Sequence, residues 1–180
     1  MMFKTARLTL RRWRDTDRNA FAAMNADPEV MWDLGGPFDR TRSDAKFDRY
    51  VAAFDRHGFG RWALEDAEGR FVGYTGVMPS SVEHPLGYHA EIGWRLTRAA
   101  WGHGYATEAA RASLQDAFAR VGLTEVLSYT SADNLRSRAV MERAGLERDA
   151  ARDFSWTYDK TMWHGLVWVA RPGSWALSAR

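Results

Sequence analysis

The chain has 180 residues, 46% of them apolar and 27% charged, with a formal net charge of +2. That length suits one domain with a substantial core, and that composition excludes a disordered chain. There is no cysteine, so disulfides, thiolate metal sites and cysteine-borne intermediates are excluded. No apolar run is long enough to span a bilayer, and the opening residues lack the apolar core of a signal peptide. The expectation is a cytoplasmic protein with no membrane partner. The basic residues are mostly arginine, with Lys4, Lys46 and Lys160 the only lysines. They are scattered, which argues against a specific nucleic-acid partner.

Leu8 and Leu10 alternate with polar neighbours and predict a first strand over 6–12. Asp15 and Thr16 can cap a helix that ends near 26, since Asp27 precedes Pro28 and avoids the helical region. The following loop, with Trp32, Leu34, Gly35, Gly36 and Pro37, reads equally as a binding loop or a plain connection. Phe47, Tyr50, Val51 and Phe54 recur at helical spacing and predict a helix over 41–57 that stops at Gly58. Strands over 61–65 and 71–78 flank Asp66-Ala67-Glu68-Gly69, a hairpin turn. The clearest strand is 88–96. Tyr88, Ala90, Ile92, Trp94 and Leu96 point one way, and His89, Glu91, Gly93 and Arg95 the other. A helix over 105–121, a strand at 126–131, a short helix at 134–144 and an aromatic strand at 161–170 follow. Helices interrupting hairpins require an α/β (α+β) fold with a mixed, mostly antiparallel sheet, not a doubly wound parallel one. No repeat or linker divides the chain, so residues 1–180 form one domain.

The most informative segment is Leu96-Thr97-Arg98-Ala99-Ala100-Trp101-Gly102-His103-Gly104-Tyr105-Ala106-Thr107-Glu108. A strand ends, glycines permit tight backbone geometry, and a helix begins at once. Unpaired amides at the positive end of a helix dipole form an anion site suited to a pyrophosphate. The segment has no Gly-Lys-Ser/Thr for a Walker loop and no third spaced glycine for a dinucleotide fingerprint.

In four places the sequence resembles the GNAT acetyltransferase superfamily, in its ribosomal-protein N-acetyltransferase-like branch. These are Thr5-Ala6-Arg7-Leu8-Thr9-Leu10-Arg11, Ala90-Glu91-Ile92-Gly93-Trp94, the glycine loop through Ala109, and Asn134-Leu135-Arg136-Ser137 with Glu142-Arg143-Ala144-Gly145-Leu146. The resemblance implies a sheet of six to seven strands with about four helices and a splayed central strand pair that binds acetyl-CoA. Pantetheine would pair with backbone from Trp94 through Leu96 to Arg98. The pyrophosphate would rest on the loop at Gly102, His103, Gly104, Tyr105, Ala106 and Thr107. Asn134 and Ser137 would touch the pantetheine arm. Two positions depart from the pattern: Ala99 stands where Gln or Arg is usual, with Arg98 one position off, and Met141 replaces a tyrosine that can protonate the leaving thiolate.

Direct transfer to an amine needs a base, because a lysine amine has a pKa of about 10 and a terminal amine about 8. Glu91, on the polar face beside the expected acetyl site, is the preferred base. His89 shares that face and can do the same work or orient Glu91. The alternative is a structural ion pair of Glu91 with Arg95 or another basic residue. Ser137 is the candidate to hydrogen-bond the leaving sulfur, with an ordinary first-turn helix residue as the alternative. Asn134 is also a natural N-cap. Trp32 and Glu91 are expected on the acceptor side. His57, His84 and His164 show no metal-ligand spacing, so no metal is expected. The acceptor is left open between a small-molecule amine and a peptide N-terminus, and the assembly between monomer and homodimer. A CoA-binding module without catalysis is the competing reading.

Overall fold

A computed structural model of the chain describes residues 2–158 and 161–178. The strands are β1 (Met2–Lys4), β2 (Thr9–Arg11), β3 (Arg61–Glu65), β4 (Phe71–Pro79), β5 (Ala90–Leu96), β6 (Val126–Thr130), β7 (Glu147–Arg148), β8 (Phe154–Tyr158) and β9 (Thr161–Ala170). The helices are α1 (Arg18–Asn25), α2 (Pro28–Met31), α3 (Arg40–His57), α4 (Tyr105–Ala119), α5 (Leu135–Arg143) and α6 (Pro172–Ser178). The strands order as β1-β2-β3-β4-β5-β6-β9-β7, with β8 paired to β9. Neighbours run antiparallel except β5 and β6, which run parallel and share one registered pair, Glu91 with Leu127.

That junction is the splay the resemblance implies, and the expected mixed, mostly antiparallel architecture holds. The six strands and four helices read from periodicity are all present, but β1, β7, β8, α2 and α6 were not anticipated. Each is short or lies at an edge, where a few residues carry too little periodicity to read. The expected strand over 6–12 is only Thr9–Arg11. Asp15 and Thr16 do not cap the first helix. Asp15–Asp17 is a 3₁₀ turn instead, and Asp17 anchors it by accepting from the Arg14 amide at 2.8 Å and the Arg11 guanidinium at 2.7 Å. Asp27 ends α1 as expected, but its carboxylate also caps α2, accepting from the Glu29 amide with Pro28 in the first turn. Part of the supposed loop is therefore helical.

One face of the sheet carries an aromatic core in which Trp13, Phe21, Phe47, Tyr50 and Tyr74 are buried between β2–β4 and helices α1 and α3. A second cluster packs Ile92, Ala110, Leu114, Val126, Met141 and Trp168 beneath α4 and α5. Among the described residues, no helix is long and apolar enough to cross a membrane.

Candidate active site

β5 ends at Leu96, a 3₁₀ turn covers Arg98–Ala100, and the loop then bends through Gly102 and Gly104 at φ of 81° and 76°. Only glycine adopts such angles cheaply, and Gly104 is the N-cap of α4. Asp27, Asp39 and Asn134 cap α2, α3 and α5 through their side chains, whereas α4 has no side-chain cap. Its first-turn amides at Tyr105, Ala106 and Thr107 thus have no side-chain cap.

The loop is held from below by residues that motif reading did not assign a role. The Arg7 guanidinium donates to the His103 carbonyl at 2.7 Å and to Glu108 at 2.7 Å. Glu108 also accepts from the Thr5 hydroxyl at 2.6 Å and the Arg7 amide at 2.9 Å. Burial pushes the Glu108 carboxyl up, but these donors outweigh it and hold it below the usual range. His103 is exposed and stacks on Tyr105, 5.4 Å between ring centres. The Arg98 guanidinium is taken by Asp27 at 2.8 Å and Glu29 at 2.5 Å, on the α2 side of the loop.

Glu91, Gly93 and Arg95 share the sheet face covered by α1 and α3, as the alternation predicts, with Tyr74 opposite Arg95 and Gly76 opposite Gly93. Glu91 pairs with Arg61 at 2.5 Å, so the basic partner anticipated as an alternative is Arg61 rather than Arg95. Arg61 starts β3 opposite Gly76 and lies across both glycines. It donates to the Gly76 carbonyl, to Glu91 O at 3.2 Å and to Gly93 O at 3.3 Å. A Cβ on Gly93 would stand 3.0 Å from Arg61 Nη2 and 3.1 Å from Glu91 Oε1. Burial disfavours the Arg61 charge, yet Glu91 together with Tyr50, Tyr74 and Tyr129 holds its pKa above the ordinary value.

His89 sits just ahead of β5. Its Nδ1 lies 2.8 Å from the Gly87 carbonyl, a contact made by an Nδ1 that carries the proton. Its Nε2 is buried and unpaired. Ser80 braces the same ring, its Oγ 3.0 Å from Nδ1 and accepting the His89 amide at 2.9 Å.

On the other side of the junction, Ser128 Oγ donates to Ile92 O at 3.0 Å and Asn134 Oδ1 accepts the Ser137 amide at 3.2 Å. The N-cap role of Asn134 is therefore real. Asn134 Nδ2 also donates to Asp33 at 3.2 Å, and Asp33 is clamped by Arg95 at 2.8 and 3.1 Å. This clamp fixes the Trp32–Leu34 turn against β5 and leaves Trp32 47% exposed at the mouth. Trp94 and Ser137 are half-buried on either side, and Leu96 is buried.

Several residues of this face carried no motif. Lys46 and Tyr50 reach it from α3, and Tyr74 from β4. Tyr129 projects from β6 beside the Glu91–Arg61 pair, and its phenol is raised by burial and by Glu91. His84 stacks on Tyr129 at 5.0 Å, and its pKa is lowered by burial and by His89. Glycines inside the predicted strands were the available signal, because Gly in a strand often marks close approach of another group. Among the described residues, no group of three or more His, Asp or Glu side chains is placed to hold a metal ion.

The model of the GNAT acetyltransferase domain matches residues 7–147. The chain belongs to the GNAT acetyltransferase family. It is 36% identical over 149 residues to the FsC-acetyl coenzyme A-N(2)-transacetylase of Aspergillus fumigatus, covering 79% of this chain and 63% of that protein's length. The crystal structure of an acetyltransferase from Agrobacterium tumefaciens superposes with a TM-score of 0.81 at 30% identity, over 95% of this chain and 94% of that one. A spermidine N-acetyltransferase from Vibrio cholerae, in complex with CoA and spermine, shares the fold at a TM-score of 0.74 and 15% identity, over 96% and 99% of the two chains. The GNAT chain is an acetyl-CoA-dependent acyltransferase, with acetyl-CoA as co-substrate.

Proposed function

We propose that this GNAT protein transfers an acetyl group from acetyl-CoA directly to the nitrogen of an amine, carried on a small molecule or at a peptide N-terminus. The observation that carries the reading is the adjacency of two built features. The uncapped first turn of α4 follows β5 through the glycine loop, and β5 also carries Glu91 at its single junction with β6. The relative named as an N(2)-transacetylase and the neighbour in complex with spermine support nitrogen as the accepting atom.

In this reading, the loop at Gly102, His103, Gly104, Tyr105, Ala106 and Thr107 receives the pyrophosphate, and backbone from Trp94 through Leu96 to Arg98 pairs with the pantetheine. The Glu91 carboxylate, fixed by Arg61, holds the incoming ammonium. His89, whose Nδ1 faces the Gly87 carbonyl, takes at Nε2 the proton the amine must lose. The amine nitrogen attacks the thioester carbon, the C–N bond forms, and the C–S bond breaks. The departing sulfur is met by hydrogen bonding from Ser137. Met141 gives no donor. It lies in the core with Leu114 and Trp168, 2% exposed.

Calorimetric titration of acetyl-CoA into the wild type and Gly104→Trp tests the cradle. Micromolar binding by the wild type, lost in a variant that stays folded, is expected. No binding by folded wild type overturns the assignment. Glu91→Gln and His89→Gln test the chemistry. Each should lower kcat with acetyl-CoA binding intact, and full activity in His89→Gln would remove that residue as proton acceptor.

A further inference from the structure

Arg61, Arg95 and Lys46 reach the same sheet face as Glu91, and the two arginines have carboxylate partners. Arg61 is paired with Glu91 and Arg95 with Asp33. Lys46 is 9% exposed, and among the described residues no carboxylate pairs with it. Its ammonium stands instead over three rings, 5.2 Å from the centre of Phe38, 5.8 Å from Tyr50 and 5.4 Å from Tyr74. A buried ammonium without an anion is unfavourable, and aromatic faces return only part of the lost hydration. The neighbouring groups record the imbalance. Burial, with Arg95 and Arg49 nearby, lowers the Lys46 pKa despite Tyr74. Burial alone would raise the Tyr74 phenol, but Lys46, Arg95, the Tyr50 hydroxyl and Arg61 bring it below the usual phenol range.

This corner therefore presents a lysine ammonium with no carboxylate partner, hydrogen-bonded with the phenols of Tyr74 and Tyr50, next to the site where the proposed reaction binds its amine. We infer that the acceptor carries a carboxylate as well as the amine, and that Lys46, Tyr50 and Tyr74 receive that carboxylate. The inference rests on the N-acetyltransferase reading. A spacing follows from the strand register. The Glu91 carboxylate turns back over Gly93, whose partner Gly76 lies two residues from Tyr74 on β4. Two residues of strand rise about 7 Å, so the acceptor separates its amine from its carboxylate by roughly that distance. An amino acid with a long chain or a short peptide has this reach. A polyamine places a second cation against Lys46 and is disfavoured.

The test uses three probes of one length: ε-aminocaproate, its amide, and hexamethylenediamine. With acetyl-CoA and the intact protein, release of free thiol should give a kcat/KM roughly tenfold or more higher for the acid than for the amide, with the diamine poorest. Lys46→Met should bring acid and amide together, and Tyr74→Phe, which keeps the ring packing, should narrow the gap. A second readout needs no turnover. Near-ultraviolet phenolate absorbance, assigned to Tyr74 by its loss in Tyr74→Phe, should titrate at higher pH when ε-aminocaproate is bound, and should not move with the diamine. Equal use of acid and amide, preference for the diamine, or a phenolate titration indifferent to ε-aminocaproate overturns the inference. Failure to bind acetyl-CoA at all instead strikes the acetyltransferase reading beneath it.

Discussion

Replacing Arg61 by methionine removes the partner of Glu91 while keeping an unbranched side chain to fill the trough over Gly76 and Gly93. The guanidinium is 7% exposed and the carboxylate it leaves behind 25%. Removing one partner of a fully buried ion pair costs about 3–5 kcal/mol, because the survivor is an uncompensated charge. The partial exposure of Glu91 lets water screen that charge and reduces the figure to about 2–3 kcal/mol. Loss of the donor to the carbonyls of Gly76, Glu91 and Gly93 adds roughly 1 kcal/mol. The expected total of about 3–4 kcal/mol is a large share of the stability of an ordinary domain. Urea denaturation followed by tryptophan fluorescence should show a midpoint lowered by roughly 1–3 M with an unchanged slope. Glu91→Gln should cost less, about 1–2 kcal/mol, since Arg61 retains its carbonyl acceptors. The double variant Arg61→Met with Glu91→Leu should be more stable than the sum of the single changes predicts. An Arg61→Met midpoint indistinguishable from wild type, or strict additivity in the double variant, would refute the view that this pair is a coupled buried unit.

Other outcomes follow from the supports of the loop. Glu108 titrates below its unfolded value when folded, so its stabilisation is present above the unfolded pKa and is lost as pH falls through the folded one. The stability gap between wild type and Glu108→Gln, measured by denaturation, should therefore be open at neutral pH and close in acid. A gap that widens in acid contradicts the assignment. Arg7→Ala removes the donor to the His103 carbonyl, and calorimetry should show weaker acetyl-CoA binding with little change in fold. Unchanged affinity would mean that the loop holds itself. Asn134→Ala should lower stability by about 1 kcal/mol through loss of the α5 cap, readable as a shift in thermal midpoint. Asp33→Asn tests the clamp on the Trp32–Leu34 turn: it should raise the KM of the amine more than that of acetyl-CoA, whereas equal effects on both would place the clamp outside the acceptor side.

The sequence shows faces more readily than partners. Two-residue alternation in β5 correctly puts Glu91, Gly93 and Arg95 together, because side-chain direction in a strand is a local property. The partner of Glu91 is 30 positions away on β3. It is set by the register of β3 on β4 and of β4 on β5, which are tertiary facts. The same limit explains Arg98, whose place in the loop is legible but whose pairing with Asp27 and Glu29 depends on how α2 packs. Lys46 falls on a helix whose apolar spacing was read from Phe47, Tyr50 and Phe54. Nothing local shows that α3 turns this lysine inward rather than to solvent, as most lysines are turned.

The glycines are where local reading had most left to give. Gly76 and Gly93 are registered opposite one another and Arg61 opposite Gly76, so the three form one row across three strands. Glycine in a strand ordinarily weakens it, having no side chain to pack and more backbone freedom to lose. Here the two bare positions form the trough in which a long cationic side chain lies flat and reaches a carboxylate two residues further along β5. An alanine at Gly93 would crowd both Arg61 and Glu91, at 3.0 and 3.1 Å. Gly76 has a second reason: its φ of 143° and a Cβ position 2.3 Å from the Gly60 carbonyl allow no side chain at all. Isolated glycines on the polar face of two predicted strands thus mark where a buried charge crosses the sheet, and a search for the long basic side chain able to cover them leads to Arg61.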